Sequence, residues 1–155
     1  MIIRKNYNDV NLLKVYDGFS QQDEIFLVMV YKHHQVYQDY YENFSMLQIK
    51  KYMYALFEAL NSLHKLGIVH RDIKPQNFLY DPDDDSCMLV DFGLAETDVD
   101  EIDDENYKKL TSDYPELVEI MKNQKIHNLK HRIGTRGFLA PEVIFNCKTQ
   151  TKGIK

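Results

Sequence analysis

Two apolar runs separated by a polar turn stand near the start of the chain. LLKVY at 12–16 and IFLVMVY at 25–31 are bounded by Asp17, Gly18 and Gln21 to Asp23, which predicts a pair of strands. Residues 32–44 are polar and aromatic with no clear period. From Met46 the pattern changes: Met46, Ile49, Met53, Leu56, Phe57, Leu60 and Leu63 recur at three and four, predicting a helix that buries this face. Ser45 with Gln48 three residues on has the form of a capping box, and Gly67 after Lys65 suits the residue just past the helix. Short strands follow around Ile68 and Val69, at Phe78 to Tyr80 and at Met88 to Val90, the last two joined as a hairpin by DPDDDS. That turn lacks the glycine and closing glutamate of a calcium loop, so it reads as a solvated turn. Residues 96–119 hold ten of the 24 acidic residues and read as a solvated, partly disordered insert. A basic segment follows, with Lys122, Lys125, Lys130, Arg132 and Arg136.

Composition narrows the class. At 155 residues and 44% apolar content there is room for one domain with a core. A net charge of -5 gives no reason to expect direct nucleic-acid binding. No apolar run is long enough to span a membrane, and the first residues lack the apolar stretch of a signal peptide. Cys87 and Cys147 show no metal-type pairing, which argues against a zinc site or disulfide scaffold and for a reducing compartment.

Three strings carry the chemistry. His70 to Leu79 reads HRDIKPQNFL, Asp91 to Gly93 reads DFG, and Ala140 to Glu142 reads APE. In that order they resemble the signature set of the protein kinases. The resemblance implies an α+β, protein-kinase-like fold, with residues 1–155 forming part of one kinase domain. Residues 1–31 would be the end of the small lobe and the start of the hinge. Residues 32–155 would be the first half of the mainly helical large lobe, with an activation-segment insert at about 96–130.

The resemblance also implies roles. Asp72 would be the catalytic base, accepting the proton of the attacking hydroxyl. Asn77 and Asp91 would be the Mg²⁺ ligands, as hard oxygen donors. The hairpin after Asn77 returns the chain to Asp91, so both end at one edge of a small sheet. Lys74, in the KP form, would stabilise the transferring phosphoryl group, and Thr135 would meet Asp72 through its hydroxyl. Both are the serine/threonine pattern. Met29, Val30, Tyr31 and Lys32 would form the hinge whose backbone binds the adenine of ATP, with Met29 guarding the back pocket. Read by itself, Met29 is a plain buried strand residue. Leu79 would lie under the adenine ring, His70 and Phe92 would be buried, and Arg71 would pair with a phosphorylated activation loop.

The neighbourhoods GIVHRDIKPQNFLY, MLVDFGLAE and RIGTRGFLAPEVI are similar to those of the cell-division-cycle-seven kinases. Phe78, Phe138 and the 51 positions from Asp91 to Glu142 fit that family. It implies a nuclear kinase, with the cytosol as second choice, that acts in the cell cycle at the initiation of DNA replication. It further implies an activating regulatory subunit and protein substrates with acidic residues after the target hydroxyl. Leu139 stands where that family commonly has arginine and Arg136 where proline is usual, leaving Arg132 and Arg136 to read the acidic residue.

None of the six glycines forms a G-x-G-x-x-G loop, and Lys5 is not in a V-A-I-K context. Only ten residues precede the first strand, and the sequence stops shortly after Glu142. The expectation is a central piece of the domain that on its own transfers little phosphate and tends to aggregate. Two readings therefore compete: a serine/threonine kinase acting with ATP and Mg²⁺, and a catalytically inactive kinase fragment serving as a binding module.

Overall fold

A computed structural model describes residues 11–113, 115, 118, 119 and 134–145. Small antiparallel sheets and helices make it α+β. The chain forms two compact units, one from Met1–Ala59 with Pro75–Val90, the other from Leu60–Lys74 with Asp91–Lys155. The basic stretch from Lys122 to Arg132, and Cys147, lie outside the described residues.

In the first unit, β1 (Val15–Gln21) and β2 (Glu24–Met29) pair antiparallel, with Phe19 opposite Phe26. Gln22 and Asp23 both have positive φ (51° and 64°), the pattern of a two-residue type I′ turn that matches strand twist. Asp17 and Gly18, expected to bound the first strand, lie within it, and a register shift marks the place. The hairpin leaves Phe19, Ile25, Phe26, Leu27 and Met29 exposed. Reading Met29 as buried therefore fails: it is 46% exposed.

A short helix α1 (Tyr37–Tyr40) and a 3₁₀ turn (Tyr41–Asn43) lead to α2 (Met46–Lys65). The capping box is present. Gln48 N donates to Ser45 Oγ at 3.3 Å, and Ser45 N donates to Gln48 Oε1 at 3.0 Å. The buried face is not the whole predicted stripe. Leu56, Ala59 and Leu63 are buried, whereas Met46, Ile49, Met53 and Phe57 are exposed. Tyr52 takes an inward place instead, because its ring packs edge-on against Phe78 at 4.9 Å and its hydroxyl donates to the Phe78 carbonyl.

Strand β4 (Phe78–Asp81) pairs with β5 (Ser86–Leu89) as the predicted hairpin, Phe78 facing Leu89. Its core partners are aromatic: Tyr80 lies 5.0 Å from both Tyr40 and Phe44. The acidic turn is tied down by charge. Asp85 accepts from Tyr80 Oη at 2.6 Å and from Lys51 Nζ at 2.5 Å. Cys87 is buried, and desolvation pushes its thiol up to about 12, so it is inert at neutral pH.

In the second unit, α2 ends at Lys65 and Gly67 takes φ 68°, the left-handed turn that glycine permits. Strand β3 (Leu66–Val69) pairs antiparallel with β6 (Glu96–Ile102), Val69 facing Glu96. Helix α3 (Asp104–Asp113) follows, and α4 (Pro141–Ile144) starts with proline in its first turn. The first part of the expected solvated insert is thus a strand and a helix. The acidic residues have structural uses here. Asp103 Oδ1 accepts from Asn106 N at 2.9 Å, and Asp104 and Glu105 sit at the positive end of the helix dipole. Ile102 and Leu110 are buried, anchoring the segment. Among the described residues, no helix is long and apolar enough to cross a membrane.

Candidate active site

The turn after β3 carries the HRD string into a loop that ends at a 3₁₀ turn, Pro75–Asn77. His70 is 2% exposed, and its Nδ1 accepts from Asp72 N at 3.3 Å. Its ring centroid lies 5.1 Å from that of Phe92, which is half-buried. Arg71 adopts φ 65°, an uncommon conformation for a side chain of this size and one that costs of order 1–3 kcal/mol. That left-handed residue turns the chain so that Asp72, 7% exposed, meets a segment 63 residues further on.

Three groups converge on the Asp72 carboxylate. Thr135 donates twice to Oδ1, from its backbone N at 2.9 Å and from Oγ1 at 2.6 Å. Lys74 Nζ donates to Oδ2 at 2.7 Å and to Thr135 Oγ1 at 2.8 Å. Burial alone would raise the carboxyl, but hydrogen bonds from Lys74 and Thr135 more than offset it, and the result is about 2. A depressed carboxyl adds stability above its unfolded value, near 4, and loses it as pH falls through about 2. The shift corresponds to roughly 2 kcal/mol. An Asp72→Asn variant is accordingly expected to lose stability less steeply between pH 4 and 2, measurable by denaturant unfolding across that range.

Gly134 makes this approach possible. Its φ is 122°, and an added Cβ would stand 2.8 Å from Leu139 Cδ2 and 3.0 Å from the Arg71 carbonyl oxygen. The leucine can move, but the backbone oxygen cannot without shifting the loop that carries Asp72. We expect Gly134→Ala to cost roughly 1–3 kcal/mol through strain at this position. Its effect on turnover should exceed its effect on substrate affinity, which steady-state kinetics would show.

The other expected site residues are placed as follows. Asn77 is buried, and its carbonyl accepts from Val90 N at 2.9 Å, so the hairpin returns the chain as predicted to the residue before Asp91. Asp91 has φ 63° and an exposed side chain whose Oδ1 accepts from Gly93 N at 3.4 Å. Both offer hard oxygen atoms, the donor chemistry a divalent cation of the magnesium type requires. Leu79 is half-buried in β4. Along the expected hinge, Val30 N is already engaged with the Lys14 carbonyl at 3.0 Å, and Tyr31 is 83% exposed. The Lys32 ammonium donates to Ser86 Oγ and lies 3.8 Å from Asp84, so its side chain is held by the β4–β5 turn.

One placement differs from the sequence reading, that of Glu96. Arg71 pairs with a carboxylate of its own unit: Nη1 lies 2.9 Å from Glu96 Oε1, and Nε donates to the Leu94 carbonyl at 2.6 Å. Charge patterning alone puts Glu96 in the solvated stretch and gives no sign of this pairing. Arg136 is exposed beside Thr135, Leu139 is half-buried, and Arg132 lies outside the described residues.

The sequence matches the family model described as "Protein kinase domain" over residues 1–154. It is 34% identical to the Schizosaccharomyces pombe protein named cell cycle serine/threonine-protein kinase hsk1, over 96% of this chain and 34% of that protein. It is 30% identical to cell cycle protein kinase spo4 of the same organism, over 92% of this chain and 38% of that protein. A Mus musculus protein named cell division cycle 7-related protein kinase is 44% identical over 50% of this chain and 14% of its own length. The chain therefore spans about a third of the length of the two yeast relatives. With the HRD, DFG and APE strings in place and nearly the whole sequence matched, the chain belongs to the protein kinase domain family.

Proposed function

We propose that the intact protein is a serine/threonine protein kinase of the cell-cycle type, transferring the γ-phosphate of ATP to protein hydroxyls. The observation that carries this reading is the bonding of Thr135 and Lys74 to the two oxygens of a buried, ionised Asp72. A catalytically silent module has no need of that arrangement.

Asp72 accepts the proton of the attacking hydroxyl, and His70 Nδ1 fixes its backbone. Thr135 orients the carboxylate. Lys74 shares its positive charge between Asp72 and Thr135, where negative charge grows on the phosphoryl oxygens. Asn77 and Asp91 would hold the Mg²⁺, which neutralises charge on the ATP phosphates when bound. Met29, Val30, Tyr31 and Lys32 would line the adenine edge, with Leu79 against the ring face. The test is γ-phosphate transfer from ATP to serine peptides by the intact protein. We expect transfer to require added Mg²⁺ and to stop on chelation, while metal-independent transfer or none at all would refute the reading.

The motif neighbourhoods, which resemble those of the cell-division-cycle-seven kinases, support a finer proposal: a nuclear enzyme of replication initiation that works with an activating regulatory subunit. For substrate choice, exposed Arg136 follows Thr135 directly, and a guanidinium there favours an acidic residue after the target hydroxyl. Arg136→Ala is expected to lower kcat/KM on a peptide with an acidic residue after serine by roughly 1.5–3 kcal/mol, with little change on the alanine peptide. Equal losses on both would assign Arg136 to loop support.

A further inference from the structure

The Arg71–Glu96 pair lies outside the roles just given, yet it sits beside Asp72. Arg71 is the residue before Asp72, its backbone is left-handed, and its carbonyl is the atom that Gly134 approaches. Its side chain is 11% exposed and runs to the start of β6; Nε donates to the Leu94 carbonyl just before the strand and Nη1 faces Glu96 Oε1 at 2.9 Å. Glu96 is held there by backbone pairing with Val69, one residue from the HRD string. Its second oxygen, Oε2, is buried and has no hydrogen-bond partner among the described residues, and Arg71 Nη1 makes no aligned hydrogen bond there either, so the 2.9 Å contact is an ion pair.

The geometry points to Glu96 as the resident counter-ion of Arg71: a positioning residue that holds the Asp72 turn in its working form without a phosphorylated side chain on the activation segment. In the kinase fold, such loops are ordered when a new phosphate pairs with arginine. Here the guanidinium is already neutralised by a carboxylate built into the neighbouring strand. With Arg71 only 11% exposed, loss of the opposing charge is unfavourable, so removing Glu96 should release the turn. Glu96 touches neither the attacking hydroxyl nor the phosphates, so it acts through Arg71. This inference rests on Asp72 being the base.

The test uses the intact protein and three variants, Glu96→Gln, Arg71→Leu and the two combined, with Asp72→Asn as reference. We expect Glu96→Gln to lower kcat at least tenfold while KM for ATP stays within about twofold. The double variant should be no worse than the poorer single, because both remove one unit. Phosphatase treatment of the wild type should leave kcat within about twofold. Additive losses in the double variant, an unchanged kcat in Glu96→Gln, or a tenfold loss on phosphatase treatment would each overturn the inference. Circular dichroism shows whether the variants fold, and if they do not, the phosphatase result decides. A wild type whose transfer is indifferent to Asp72→Asn would instead bring down the kinase reading beneath it.

Discussion

Replacing Asp72 by asparagine is expected to lower kcat by 10²–10⁴-fold, the range in which a positioned general base contributes. The substitution keeps the size of the side chain and leaves one oxygen to accept from Thr135, so the loop keeps its shape. It removes the negative charge that Lys74 and Thr135 stabilise and that, in the proposed function, takes the hydroxyl proton. KM for ATP should change little, since the loss falls on the transition state. A variant that retains more than a tenth of the wild-type turnover, with its fold intact, would show that Asp72 is not the base. Because the carboxyl sits at about 2, it is ionised throughout the neutral range, and an acidic limb in the rate profile well above that pH would come from another group.

The largest stability effect is expected at Phe78, which is 1% exposed and packs edge-on against Tyr52. Phe78→Ala should destabilise by roughly 3–5 kcal/mol, through lost burial and the cavity left behind. Tyr80, fully buried next to it in β4, ties the same cluster to Asp85 through its hydroxyl, so the void cannot close easily. Phe78→Leu, which keeps much of the volume, should cost clearly less. Chemical denaturation of the intact protein measures both. An alanine variant within about 1 kcal/mol of wild type would mean that the cluster collapses around the gap.

The sequence made the local devices readable. The capping box at Ser45 needs only residues three apart, and the β4–β5 hairpin only a polar turn between apolar runs. Asp72, Lys74 and Asn77 lie within six positions, and the family resemblance supplied the distant partner, Thr135. What failed was set by tertiary contact. The apolar count on α2 favoured Met46, Ile49, Met53 and Phe57, but the aromatic cluster selected Tyr52. Acid density around Glu96 suggested solvation, because neither the pairing of β6 with β3 nor the Arg71 counter-charge can be seen in local composition. Hydrophobicity and charge are one-dimensional signals. They mislead where a polar side chain is buried with a partner far along the chain.

The proposed function assigns the Asp72–Lys74–Thr135 arrangement to transfer to aliphatic hydroxyls. The most direct measurement is phosphoamino-acid analysis of a mixed protein substrate labelled from γ-labelled ATP by the intact protein, wild type beside Asp72→Asn. Label is expected on serine and threonine, none on tyrosine, and almost none with the variant. Label on tyrosine, or equal labelling by wild type and variant, would contradict it.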